Sequence, residues 1–253
     1  MPGHLRVLIT GASSGIGREM ARQLAARHVR LALTGRRGAL VEEAAAEARK
    51  AGASDVLALV GSVADRAAVR EHYALVKERW GGLDWAILNA GAADREPHAD
   101  FSAEEYHSAF ATNVGGAVNW VEAVLPDMKA ARRGTIAGMA SLAACRGIPG
   151  YGPYSASKAA LVAFLETLRV DHIGTGIRVV TVQPGFIGTG MTDTRLENTW
   201  FTVPAPSAIR RILRGIENGS PVVAFPWPLA FFMRYMLRNA PCWLYDRVIR
   251  SLV

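Results

Sequence analysis

Apolar residues in this chain come in short runs, separated by longer stretches in which they recur every three to four positions. Seven runs read as strands: 5–10 (LRVLIT), 29–34 (VRLALT), 55–61 (DVLALVG), 84–89 (DWAILN), 134–140 (GTIAGMA), 177–183 (IRVVTVQ) and 221–225 (PVVAF). Between them the spacing predicts helices near 15–28, 38–51, 64–80, 102–131, 153–172 and 206–218, the fourth opened by a capping box of Ser102 and Glu105. The runs are almost continuously apolar rather than alternating, which suits strands buried on both faces. The pattern therefore predicts an α/β fold, a doubly wound, mainly parallel seven-stranded sheet with helices on both faces. With no repeat, low-complexity segment or linker, the 253 residues read as one domain, 1–253. Ligands of such sheets bind outside the carboxyl ends of the strands, so the residues just after each run carry the candidate chemistry.

The first run ends in TGASSGIGREM, Thr10 to Met20, three glycines and small polar residues leading into a helix. Glycine lets the backbone turn sharply and lets another group approach closely. A strand, a glycine turn and a helix start together make an anion site. The spacing is neither the Walker form nor G-x-G-x-x-G, so the loop by itself indicates a phosphate and no more. The second run ends in Gly35, Arg36 and Arg37, where NAD-binding folds usually place an acid for the ribose hydroxyls. Guanidinium groups match a 2′-phosphate, which favours NADP(H) over NAD(H). The fourth run ends in Asn89, Ala90 and Gly91, and the fifth runs into Ser141. YSASK then sets Tyr154 and Lys158 four apart, on one face of a helix. A tyrosine with its ordinary pKa near 10 is a poor acid–base at neutral pH, and a nearby ammonium favours the phenolate.

Taken together, TGASSGIG, NAG, Asn113, Ser141 thirteen residues before Tyr154, YSASK and Pro184–Gly185 resemble the short-chain dehydrogenase/reductase family, over about residues 5–190. The resemblance implies a Rossmann-type fold and an NAD(P)-dependent oxidoreductase acting on CH–OH groups. It implies that Tyr154 gives or takes the proton of the carbinol oxygen, that Lys158 lowers the tyrosine pKa and holds the nicotinamide ribose, that Ser141 holds the substrate oxygen, and that Asn113 supports a proton-relay water. Gly11, Ser13, Ser14, Gly15, Ile16 and Gly17 would cradle the cofactor phosphates. Asn89, Ala90 and Gly91 would flank the adenosine, and Pro184, Gly185, Ile187 and Thr189 would close over the nicotinamide. Three departures stand out: Ser62, followed by Val63, occupies the place near the adenine where the family often has aspartate; Ala140–Ser141 replaces a serine pair; and beyond 190 the resemblance thins.

The segment 190–206 is long and aperiodic, which suits a substrate lid with Met191, Trp200 and Phe201 on its inner face; Ala143 to Tyr151 would form a second wall. Neither offers a clamp for an acidic substrate, so an apolar ketone or aldehyde is expected. The net charge of +7 is concentrated in the last fifty residues at Arg210, Arg211, Arg214, Arg234, Arg238, Arg247 and Arg250. No basic run with interleaved aromatics marks a nucleic-acid partner. The residues 226–253 read as atypical C-terminal helices that pack on the domain or a partner subunit, with contact at a membrane surface as the second reading. Cys145 and Cys242 show no metal spacing and no metal is required; with no signal-peptide core and no run near the roughly 18 apolar residues of a membrane span, a cytoplasmic protein with reduced thiols is expected. The resemblance also implies a homodimer through helices 102–131 and 153–172, where Val114, Val118, Val121 and Leu125 and Leu161, Phe164, Leu165 and Leu168 recur; a tetramer is the alternative. Two rival functions are an NADP-binding redox sensor without turnover and a sugar-nucleotide epimerase or dehydratase. The first commonly loses the Tyr–Lys pair that this chain keeps, and the second needs a larger substrate domain.

Overall fold

The computed structural model describes residues 4–92, 101–188 and 201–250. Along the chain run β1 (Arg6–Thr10), α1 (Gly15–Ala25), β2 (Arg30–Gly35), α2 (Gly38–Lys50), β3 (Asp55–Val60), α3 (Arg66–Trp80), β4 (Trp85–Leu88), α4 (Ala103–Phe110), α5 (Gly116–Ala130), β5 (Gly134–Met139), α6 (Gly152–Asp171), β6 (Ile177–Pro184), β7 (Ile187–Gly188), β8 (Val203–Pro204), α7 (Ala205–Glu217), β9 (Val222–Phe225), α8 (Trp227–Phe231) and α9 (Cys242–Arg250). Seven strands form one sheet in the order β3-β2-β1-β4-β5-β6-β9. Every neighbouring pair in it is parallel.

Burial on both faces explains the continuous apolar runs. On one face Met20, Leu24, Val41, Ile212 and Phe225 pack under α1, α2 and α7. On the other Trp120, Val124, Leu161 and Leu165 pack under α3, α5 and α6. Local signals fix the helix starts: Asp65 caps α3 by accepting from the backbone N–H groups of Ala67 and Ala68, and Ser102 caps α4 by accepting from Glu105. The chain winds outward in both directions from the β1/β4 pair, where Val7 lies opposite Trp85. The loops that leave β1 and β4 therefore open side by side, at the switch point where ligands of such sheets bind.

Two sequence expectations need correction. The helix expected over 102–131 is two helices joined by a wide π turn at Ala111–Gly115. Its cause is Asn113, whose buried side chain is turned inward to hydrogen-bond partners there. The apolar positions expected to meet a partner subunit are also largely consumed within the chain: Val121, Leu161, Leu165 and Leu168 lie against its own sheet, while Val118 is 41% exposed. Among the described residues no helix is long and apolar enough to cross a membrane.

Candidate active site

The glycine turn stands between β1 and α1 with Gly11 at φ +66° and Gly15 at φ +53°, conformations that disfavour any other residue. Ser14 precedes α1 but caps none of its N–H groups. Its hydroxyl instead accepts from Arg37 at 2.6 Å, and Ser13 accepts from the same guanidinium at 3.1 Å. The first turn of α1 thus keeps its uncapped N–H groups beside two hydroxyls and a cation, a donor set that fits phosphate. Arg36 and Arg37 are both exposed, and of the two it is Arg37 that reaches the serines. Asn89 ties the neighbouring loop to this turn: its Nδ2 donates to the carbonyl oxygens of Thr10 at 2.9 Å and Gly11 at 3.3 Å. The backbone N–H groups of Asn89 and Ala90 both donate to the Thr10 hydroxyl at 2.9 Å. Ser62 caps its own turn, accepting from Ala64, with Val63 buried after it.

Beyond the ends of β4 and β5 lie the side chains expected to carry the chemistry. Tyr154 and Lys158 project from the first two turns of α6, with the Lys158 Nζ 5.7 Å from the tyrosine ring centre. Lys158 is buried and donates to the Met139 carbonyl at 2.6 Å. Burial pulls its pKa down to about 8. Burial also pushes the Tyr154 hydroxyl up, and the hydrogen bond with Ser141 works the other way. The net direction is upward, with burial the larger cause. Ser141 caps the short turn Leu142–Cys145, accepting from Ala143.

Asn113 closes the inner side. Its Oδ1 accepts from Ala92 at 2.8 Å, and its Nδ2 donates to the Ala92 carbonyl at 3.0 Å and to the Ser157 hydroxyl at 2.8 Å. Ser157 is a polar partner that sequence reading missed; the signal available was a serine inside YSASK on the helix face that must be buried. A side chain at Gly91 would place its Cβ 3.2 Å from both the Asn113 Oδ1 and the Lys158 Nζ, so the glycine keeps that space open.

On the remaining side, Gly185 follows Pro184 at the end of β6 and donates to the Phe225 carbonyl at 2.7 Å. Ile187 is buried and pairs with Val203, which makes a two-strand ribbon of β7 and β8. Thr189, Met191 and Trp200 lie outside the described residues, while Phe201 is exposed just before β8. Tyr151 stands at the start of α6, half-buried.

This arrangement fits a dinucleotide-dependent oxidoreductase site, placed at the switch point of a parallel sheet. The chain belongs to the short chain dehydrogenase family, whose profile matches residues 6–200. It is 39% identical to an uncharacterized oxidoreductase of Myxococcus xanthus (strain DK1622), over 97% of this chain and 96% of that one. It is 33% identical to the 11-beta-hydroxysteroid dehydrogenase-like 2 protein of Arabidopsis thaliana, over 87% of this chain and 73% of the relative. The crystal structure of levodione reductase superposes with a TM-score of 0.80 at 26% identity, covering 88% of this chain and 96% of that one. Members of this family are nicotinamide-dependent oxidoreductases acting on carbonyl or alcohol substrates.

Proposed function

We propose that the protein is an NADP(H)-preferring reductase of apolar ketones or aldehydes, working reversibly on the corresponding secondary alcohols. The observation that carries this reading is the meeting of Tyr154, Ser141 and Lys158 directly beyond the glycine turn. Gly11 to Gly17, Asn89 to Gly91 and Pro184 to Ile187 would hold the dinucleotide, with Arg37 and the Ser13 and Ser14 hydroxyls at its 2′-phosphate. When bound, the nicotinamide supplies or accepts the hydride. In the reducing direction Tyr154 gives its proton to the substrate oxygen as charge develops there, and Ser141 holds the same oxygen. Lys158 would hold the nicotinamide ribose, and Asn113 would order the proton path behind it. The preference for apolar substrates is supported by the wall 143–151, whose one cation, Arg146, is committed to the carbonyls of Leu237 and Ala240, and by the hydroxysteroid dehydrogenase-like name of one relative. Free Cys145 and Cys242 support a cytoplasmic setting. The uncovered part of α5, including Val118, supports a homodimer contact.

Cofactor choice tests the first half of this reading. Arg37→Ala removes the charged hydrogen bonds to a 2′-phosphate, worth about 1.5–3 kcal/mol. The dissociation constant for NADPH is expected to rise roughly tenfold to a hundredfold while that for NADH stays nearly constant. Equal wild-type affinities for the two cofactors overturn the preference.

The pH profile tests the proton donor. Because burial raises the Tyr154 pKa, the hydroxyl is protonated through the neutral range, as reduction requires. Alcohol oxidation needs the phenolate, so its rate is expected to climb from pH 7 to 10 while reduction stays flat from pH 6 to 8. A reduction rate that falls off with an apparent pKa below 7 contradicts the assignment.

A further inference from the structure

The end of the chain is built unlike a packed helical cap. Trp227, Phe231 and Tyr235 follow one another at four-residue spacing, with ring centres 5.6 and 5.3 Å apart. They form a continuous aromatic stripe along α8 and the π turn Phe232–Leu237 that prolongs it. The stripe faces outward: Trp227 is 70% and Tyr235 54% exposed, as are Met236 at 53% beside it and Trp243 at 69% on α9. Only Ala230 and Leu237 of the α8 segment are buried. Arg234 lies over the Tyr235 ring, and none of Arg234, Arg238 and Arg247 has an ion pair among the described residues. Asp246 is the sole acid between 226 and 253, against four arginines.

This surface is mounted firmly beside the substrate wall. Arg146, in the segment between Ser141 and Tyr154, donates to the carbonyls of Leu237 at 2.9 Å and Ala240 at 2.6 Å and stacks 4.2 Å from the Tyr245 ring centre. The Tyr245 hydroxyl donates in turn to the Gly147 carbonyl. Leu229 of α8 reaches the site itself, within 3.1 Å of where a Cβ on Gly185 would stand.

We propose that α8, its π turn and α9 form a docking surface for an anionic phospholipid membrane, which sets the mouth of the active site against the bilayer. Tryptophan and tyrosine favour the headgroup level, phenylalanine and methionine the acyl boundary, and unpaired arginines the acidic headgroups. A second copy of the chain fits this face poorly, since a two-fold contact would set arginines against arginines with one acid per copy to offset them. Delivery of a bilayer-dissolved substrate rests on the proposed reductase activity; the docking itself does not.

Co-sedimentation of the full chain with vesicles tests it. Vesicles of phosphatidylcholine with phosphatidylglycerol are expected to retain the protein, phosphatidylcholine alone at least tenfold less, and the difference should shrink as salt is raised. Trp227→Ala with Trp243→Ala should weaken binding to both kinds at least tenfold, and Arg234→Gln with Arg238→Gln only to the acidic vesicles. Unchanged thermal midpoints and NADPH affinity show that these exposed changes leave the fold intact. Wild-type protein that stays in the supernatant with acidic vesicles overturns the proposal. So does a tryptophan double variant that binds vesicles as wild type does, or one whose sole defect is a halved sedimenting mass, which assigns the face to a second copy. With docking shown, vesicles that fail to lower KM for a bilayer-partitioned ketone would refute delivery alone, and absence of any carbonyl reduction would refute the reductase reading alone.

Discussion

Tyr154→Phe is expected to lose turnover by a factor of about 10²–10⁴, the range a positioned acid–base contributes, while NADPH binds nearly as well as to wild type. The change removes a single oxygen. The aromatic ring stays packed at the start of α6, so the fold and the dinucleotide surfaces are left as they are. What disappears is the hydroxyl that hydrogen-bonds with Ser141 and is proposed to give its proton to the substrate oxygen. Ser141 can still polarise a carbonyl, but it has no acid behind it to complete the transfer, so the alkoxide formed on hydride arrival is not neutralised. Lys158→Ala makes the informative comparison. That side chain sits in the interior against the Met139 carbonyl, beside the space that Gly91 leaves open. Its loss should damage cofactor binding as well as turnover. Steady-state kinetics on a ketone together with a direct NADPH titration separate the two effects. Wild-type turnover in Tyr154→Phe would overturn the mechanism outright.

How much of this was legible in the sequence depends on what each signal measures. The strands read well because a central parallel strand is apolar at nearly every position, and the ladders run as the runs predict, within a residue or two at the ends. The helix start at Ser102 was marked by a cap residue whose side chain does accept from the first turn; the cap at Asp65 was not read. Periodicity, however, reports only that a face is apolar and not what covers it. Val121, Leu161 and Leu165 therefore looked available to a partner although the chain's own sheet buries them. The break at 111–115 ends at the Gly115–Gly116 pair, which was not read as interrupting the helix; its place follows from where Asn113 must point, a tertiary demand. At the site, the resemblance pointed to Ser141, Tyr154 and Lys158, and the structure sets the three near one another. The resemblance could not say that Arg37 rather than Arg36 would reach the serines, nor that Asn113 would be held by Ser157, because those choices depend on distances between separate elements.

The glycine turn yields a second large effect, and one whose sign can be checked against a neighbour. A Cβ at Gly17 would stand 2.7 Å from the Asn89 Nδ2 and 3.0 Å from the Ala12 Cα, with the Gly11 carbonyl oxygen closer still. None of these can yield cheaply. Two of the obstacles are backbone, and Asn89 is fixed by its bonds to the Thr10 and Gly11 carbonyls. Gly17→Ala must therefore push the β1 turn and the β4 loop apart, the two segments on which the cofactor is proposed to lie. Overpacking of this kind costs about 1–3 kcal/mol, and the strain falls on the bound geometry. The dissociation constant for NADPH is expected to rise about tenfold to a hundredfold, with a thermal midpoint lower by several degrees. Gly38, one residue beyond Arg37, is the contrasting case. Its φ is not positive, and a Cβ there would meet Val60 at 3.5 Å, an ordinary contact. Gly38→Ala should accordingly leave NADPH affinity unchanged and hold or raise the midpoint, since alanine restricts the unfolded chain more than glycine does. Isothermal titration and thermal unfolding of the two variants decide the matter. Equal behaviour of Gly17→Ala and Gly38→Ala would mean that close approach between the two loops is not what glycine 17 protects.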